Sequence, residues 1–222
     1  MKKFILLVYN DYKNIIFRLF FLISIAMSTR IYAFLDTYRG RVYNIKTALD
    51  AMIPFNKYFI LPYLYWYIYM GIIFFYFAVV DEKKYYKLLF GINMGMIISY
   101  FIYYIFPTTV PRPQVYGQDM FAYLVRMVYN NDNPYNCFPS LHVLNTVLAA
   151  IYVNRDESID VFYKYLSSLI AVSIIFSTFF VKQHYIYDAI SATIIAYGVY
   201  FVFNYKEVKE KFMAKNYAKI SE

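Results

Sequence analysis

The sequence predicts an all-α membrane protein, a bundle of six transmembrane helices, and three observations carry that reading. Hydrophobic residues make up 61% of the 222 and the mean hydropathy is +0.41, whereas soluble domains sit near 45–50% apolar on a comparable count. Charged residues are only 16% and cluster between long apolar stretches, as in a chain solvated by lipid. Several of those stretches approach the roughly 20 residues that cross about 30 Å of hydrocarbon. One domain spanning 1–222 is the natural count at this length.

The six expected spans run over about residues 15–34, 59–80, 88–106, 140–153, 165–181 and 185–203. The fourth is short as read and open to extension at either end. The basic start, apolar core and small Ala26 and Ser28 also fit a signal peptide. The basic stretch is long for a cleaved signal, so an uncleaved anchor fits better. Six spans put both termini on one side with Lys83, Lys84, Lys87, Arg155 and Lys164. That side collects fourteen of the 22 basic residues, including Lys2, Lys3, Lys13, Arg18 and the five lysines of the tail. Basic loops stay cytoplasmic, so the termini are expected inside and the 1–2, 3–4 and 5–6 loops outside. The first outer loop narrows the margin with Arg39, Arg41, Lys46 and Lys57. Residues 206–222 form a basic, mixed-charge tail expected to be a solvated helix.

Composition also excludes some classes. A single cysteine, Cys137, rules out an internal disulfide and any cysteine-based zinc motif. The net charge of +8 flanks apolar spans rather than lining an Arg-rich stripe, so it is assigned to anionic lipid and topology, not to nucleic acid. The 29 tyrosines suit a bilayer interface, but such a number reads as compositional bias.

The chain holds only two histidines. His142 lies in the run Cys137, Phe138, Pro139, Ser140, Leu141, His142. His184 lies four residues before Asp188. Both fall at span edges on the expected outer side, where ionisable groups are costly and functional by default. The i, i+4 spacing puts His184 and Asp188 on one helix face. A carboxylate on one imidazole nitrogen fixes the tautomer and leaves the other as a better nucleophile. A structural hydrogen bond tying helix six down explains the pair equally well. Pro139 suits a first helical position, and the free N–H groups there, with the Ser140 hydroxyl, make an anion site beside His142. Arg112, pinned between Pro111 and Pro113, can grip phosphate oxygens in bidentate fashion or serve as an ordinary interfacial arginine. Lys182 offers a second cation, and Arg126 a weaker one.

These residues resemble the type 2 phosphatidic acid phosphatase superfamily of lipid phosphatases and phosphotransferases. Its three motifs are matched by Arg112 and Pro113, by Pro139, Ser140 and His142, and by His184 and Asp188, over about residues 50–205. The resemblance implies that His184 attacks phosphorus, that Asp188 orients it, and that His142 protonates the leaving oxygen and then activates water or an alcohol. Arg112, Ser140 and a further cation such as Lys182 would hold the phosphate. It implies no metal and no cofactor, and as partners only a lipid phosphate and the bilayer.

Two positions depart from the pattern. Ile105 stands where the first motif has lysine, and Thr178 where the third has arginine. The variant form is most similar to the inositol phosphorylceramide synthase branch of phosphotransferases. A lipid phosphatase, an inositol-phosphate-type headgroup transferase and a non-catalytic transporter or scaffold are the readings to be separated.

Overall fold

The computed structural model of the protein describes residues 2–38 and 40–220; Arg39 of the first outer loop and the last two residues of the tail lie outside the described residues. Helices α1 (Lys2–Phe20) and α2 (Ile23–Leu35) follow one another through a short break. They form one apolar path, Phe4–Leu35, of 32 residues. The expected first span, 15–34, leaves out its start, because Asp11 and Lys13 interrupt the apolar run; the helix kinks at Asp11 (φ −120°) and continues. Arg18 is the reason the interruption is tolerated. Its guanidinium is buried, yet it meets Asp11 at 2.8 Å, Glu82 at 2.7 Å and the Ala78 carbonyl at 2.7 Å. A charge so paired escapes most of the cost of burial.

Helices α4 (Ile60–Val80) and α5 (Glu82–Ile105) form a tight hairpin around Asp81, whose side chain caps α5 by accepting from the Lys84 N–H at 3.0 Å. After α7 (Leu141–Arg155) and α8 (Val161–Phe180) comes the long α9 (Ile186–Ile220). The expected end of the sixth span, near Phe203, coincides with a kink at Asn204. There the buried amide bonds Tyr152 and Lys87, both at 3.0 Å. The tail is a continuation of the same helix.

The chain is all-helical among the described residues, apart from isolated bridges between loops. Five of its helical segments are long and apolar enough to cross a membrane: 4–35, 57–80, 82–105, 161–180 and 186–210. The expected fourth span corresponds to α7, which has only 15 residues, about 22 Å at 1.5 Å per residue. The difference has a physical cause. Helix α7 is surrounded by α4, α5, α8 and α9 and so is solvated by protein rather than lipid. It can therefore carry Asn145 and Thr146 and stop short. Gly91 and Gly95 bring α5 against it. A Cβ at Gly95 would stand 2.7 Å from Leu144 Cδ2, and one at Gly91 3.1 Å from Leu148 Cδ2. Small residues at one-turn spacing are a standard means of close helix approach in membranes.

The loops after α2, α5, α6 and α8 gather at one end of the bundle. Tyr43 bridges Thr108, and Thr109 bridges Tyr135. The Asn133 N–H donates to Asp36 at 2.8 Å, and the Asn56 N–H to the Phe180 carbonyl at 2.9 Å. Two short helices sit among them, α3 (Ala48–Met52) and α6 (Met120–Asn131). Neither is expected from the apolar runs.

Candidate active site

At this end His184 and His142 face one another with ring centroids 6.4 Å apart. His184 closes the α8–α9 loop. The Thr178 carbonyl, at the end of α8, accepts the N–H groups of Gln183 at 2.9 Å and His184 at 3.2 Å, and Lys182 adopts φ 52° to make the turn. Asp188 begins α9 and is wholly buried. Its Oδ2 accepts from the Tyr185 N–H at 2.8 Å and lies 3.3 Å from His184 Nδ1. The Cys137 carbonyl lies 3.0 Å from the same nitrogen. Both neighbours are acceptors, so Nδ1 must carry the hydrogen. In the neutral ring the lone pair is then on Nε2. The loop carrying Cys137 is fixed in turn by Thr108, whose hydroxyl oxygen accepts the N–H groups of Cys137 and Phe138 at 3.1 and 3.0 Å.

Ser140 caps α7, its Oγ accepting from the Val143 N–H at 3.3 Å. Pro139 therefore lies one residue before the cap, not at the first helical position expected. The Ser140 N–H donates to the Asp188 carbonyl at 3.1 Å, which locks the start of α7 to the start of α9. Ser140 is thus committed to framing both histidines. His142 lies against two rings of α4, Tyr63 and Trp66, each with its centroid 4.5 Å away. Its Nε2 and the Trp66 Nε1 are buried without hydrogen-bond partners among the described residues.

Arg112 reaches this region with its fork already engaged. Nη1 donates to the carbonyls of Tyr129 (3.3 Å) and Asp132. Nη2 meets Asp132 Oδ2 at 3.1 Å, the Asn133 carbonyl at 3.0 Å and Gln183 Oε1 at 2.7 Å. The carbonyls belong to the end of α6 and the residues just after it, so that unexpected helix supplies the arginine's partners. Lys182 points elsewhere, its ammonium on the carbonyls of Asp50 and Ile53. Burial, then the charge of Lys46, lowers its pKa below the ordinary lysine value. Arg126 holds the Val115 and Gly117 carbonyls at 3.1 and 2.8 Å. Of the residues singled out in the sequence, His142, His184, Asp188 and Ser140 converge directly. Arg112 joins them through Gln183, and Lys182 braces α3. Among the described residues no three His, Cys, Asp or Glu side chains gather in a group that could hold a metal ion.

Asp36 sits behind this framework. Burial pushes its carboxyl up to about 7, with Asp132 adding to the rise. Its Oδ1 has no partner among the described residues. A carboxyl that prefers its proton in the folded state contributes stability that is lost once the pH climbs above the unfolded value near 3.8. Conformational stability should therefore fall between about pH 4 and 7, by at most about 1.4 kcal/mol per pH unit for this one proton. Asp36→Asn should flatten thermal unfolding temperatures across that window; an unchanged slope in the variant would refute the assignment.

Two neighbouring imidazoles and a buried carboxylate thus meet at one end of an all-helical bundle. The family model of the PAP2 superfamily matches residues 44–202, and the chain belongs to that superfamily. Its membership supports a phosphatase-type enzymatic function. Among curated proteins and among solved structures, none matches the chain.

Proposed function

We propose that the protein is an integral membrane lipid phosphatase or phosphotransferase working through a phospho-His184 intermediate. The supporting observation is the His184 environment. A carbonyl and a carboxylate share Nδ1–H, so in the neutral ring the lone pair is on Nε2. The 6.4 Å between ring centres lets both imidazoles reach one phosphoryl group bound beside the pair, since a reacting nitrogen stands about 3–3.5 Å from the atom it attacks. His184 Nε2 forms a bond to phosphorus while the P–O bond to the leaving group breaks. The departing oxygen takes a proton from His142, a ring that burial and His184 hold neutral until an anionic substrate offsets them. His142 then removes a proton from water or an alcohol, whose oxygen attacks phosphorus and releases His184. Arg112 is the phosphate-side cation of this reading, exchanging carbonyl partners of the α6 end for phosphate oxygens, while Ser140 frames the pocket and Lys182 stays on the carbonyls of Asp50 and Ile53. Excess positive charge on the opposite side puts both termini in the cytoplasm and the site on the outer face of the cell membrane.

The charge around the site favours a singly charged phosphorus. Arg112 is matched by Asp132, and Lys182 is given to α3. Ile105 lies 59% exposed at the end of α5, and Thr178 is buried and neutral. A lipid phosphodiester, whose headgroup phosphate passes to an alcohol, needs less compensating charge than a phosphomonoester. The test is turnover of a lipid phosphomonoester and a phosphodiester, with and without a polyol such as inositol or a lipid alcohol. The diester should be favoured by about tenfold or more in kcat/KM, with product rising when the alcohol is present. Release into water alone would leave the phosphatase reading, and no turnover under any condition would remove both.

A further inference from the structure

We infer that the side-chain amide of Gln183 is a phosphate-binding donor, standing in for the guanidinium that the third motif lacks at Thr178. The inference rests on the phosphoryl-transfer reading above and assigns a residue of that same site. Gln183 is 2% exposed and immediately precedes His184. Its backbone N–H is fixed on the Thr178 carbonyl at 2.9 Å. Its Oε1 accepts from Arg112 Nη2 at 2.7 Å. Guanidinium has only donors, so the amide cannot be turned over without setting N–H against N–H. The orientation is therefore forced, and the Nε2 group is the end left free. That Nε2 is buried with no acceptor among the described residues, and so is the Nε of Arg112.

Two side chains linked by one hydrogen bond thus each hold a buried donor in reserve, next to the residue that attacks phosphorus. Buried donors without acceptors are rare in folded proteins and call for an explanation. A phosphoryl oxygen supplies one, since it accepts from several donors at once and gains charge as the reaction proceeds. The alternative is that Gln183 only braces Arg112 through Oε1.

Gln183→Glu separates the two. A carboxylate keeps an acceptor for Arg112, and adds charge to that contact, but replaces the free donor with an anion. The probe is orthovanadate, titrated calorimetrically into the full-length protein in detergent, alongside turnover of the lipid substrate. The variant should unfold at or above the wild-type temperature, yet bind orthovanadate about 100-fold more weakly or worse and lose kcat to a similar degree. Gln183→Met removes the donor and the brace together, so if the glutamate variant does not fold, wild-type orthovanadate affinity in Gln183→Met would overturn the assignment. Wild-type orthovanadate affinity and kcat in Gln183→Glu, within about threefold, would overturn the assignment and leave only the brace. So would a wild-type protein that does not bind orthovanadate. A wild-type protein that turns over no lipid phosphate, but whose orthovanadate affinity still collapses in the variant, would remove the lipid reading and keep the amide as an anion ligand.

Discussion

Replacing His184 by alanine should abolish turnover of the lipid substrate and, with it, any acid-labile phosphate label on the protein. The expectation follows from the state of a single nitrogen. Nδ1 is committed to the Cys137 carbonyl and Asp188, so Nε2 alone can form the covalent bond, and alanine removes it. His142 cannot take its place. It lies on the far side of the gap, its ring against Tyr63 and Trp66, and the buried carboxylate of Asp188 is bonded to the other imidazole, where it can stabilise only a phospho-His184. The loss should be at least about 10⁴-fold, the scale seen when a covalent nucleophile is removed and binding interactions remain. His142→Ala should instead slow release of label more than its formation wherever the leaving group is acidic enough to depart unaided. Persisting label in His184→Ala would move the nucleophile elsewhere. Turnover with no label in either protein would point to direct displacement by water.

The parts of this site that are legible in the sequence are those with a side-chain signature. His184 and Asp188 stand out by their i, i+4 spacing in an apolar run, and His142 and Ser140 by their place at a span edge. The spans are legible where helices face lipid, because there the solvent demands long unbroken hydrophobic stretches. Helix α7 breaks the rule because protein surrounds it, so its length and polarity answer to α5 and α8 rather than to bilayer thickness. Helix α6 is hidden for a related reason. It buries only Ala122 and Val125 fully and has a single strong start signal in the Asp119 cap, whose side chain accepts from the Ala122 N–H at 3.2 Å. Without α6 the setting of Arg112 is hidden too, since the acceptors that hold its fork are mostly backbone carbonyls, which no residue type announces. The Cys137 carbonyl that fixes the His184 tautomer is invisible for the same reason. Lys182 leaves the site because a residue at φ 52° turns its side chain out of the register that its neighbours suggest. Gln183 has a usable signal that sequence reasoning passes over, a polar amide flanked by a cation and a histidine between apolar segments.

The second large effect concerns Asp188, and the geometry allows its size to be bracketed. Asp188→Asn changes charge and little else. The amide oxygen can still accept from the Tyr185 N–H, now 2.8 Å from Oδ2. The Cys137 carbonyl still holds Nδ1–H, so the reactive tautomer of His184 survives. This differs from a triad whose carboxylate is the sole partner of the imidazole, where the same substitution inverts the tautomer and costs about 10⁴-fold. What the neutral amide cannot supply is negative charge beside a ring that becomes cationic once Nε2 bonds phosphorus. That stabilisation acts in a buried site of low dielectric, where it is worth far more than in water. Turnover should therefore fall by about 10²- to 10³-fold, less than for His184→Ala, with KM nearly unchanged. The rate of phospho-enzyme formation should carry the loss. Asp188→Ala should fall further, because it also strands the Tyr185 N–H and leaves a void in a wholly buried position. A loss in Asp188→Asn smaller than about fivefold would mean that the Cys137 carbonyl orients His184 unaided and that the carboxylate serves only to start α9; a loss equal to that of His184→Ala would mean that the carbonyl does not hold the tautomer.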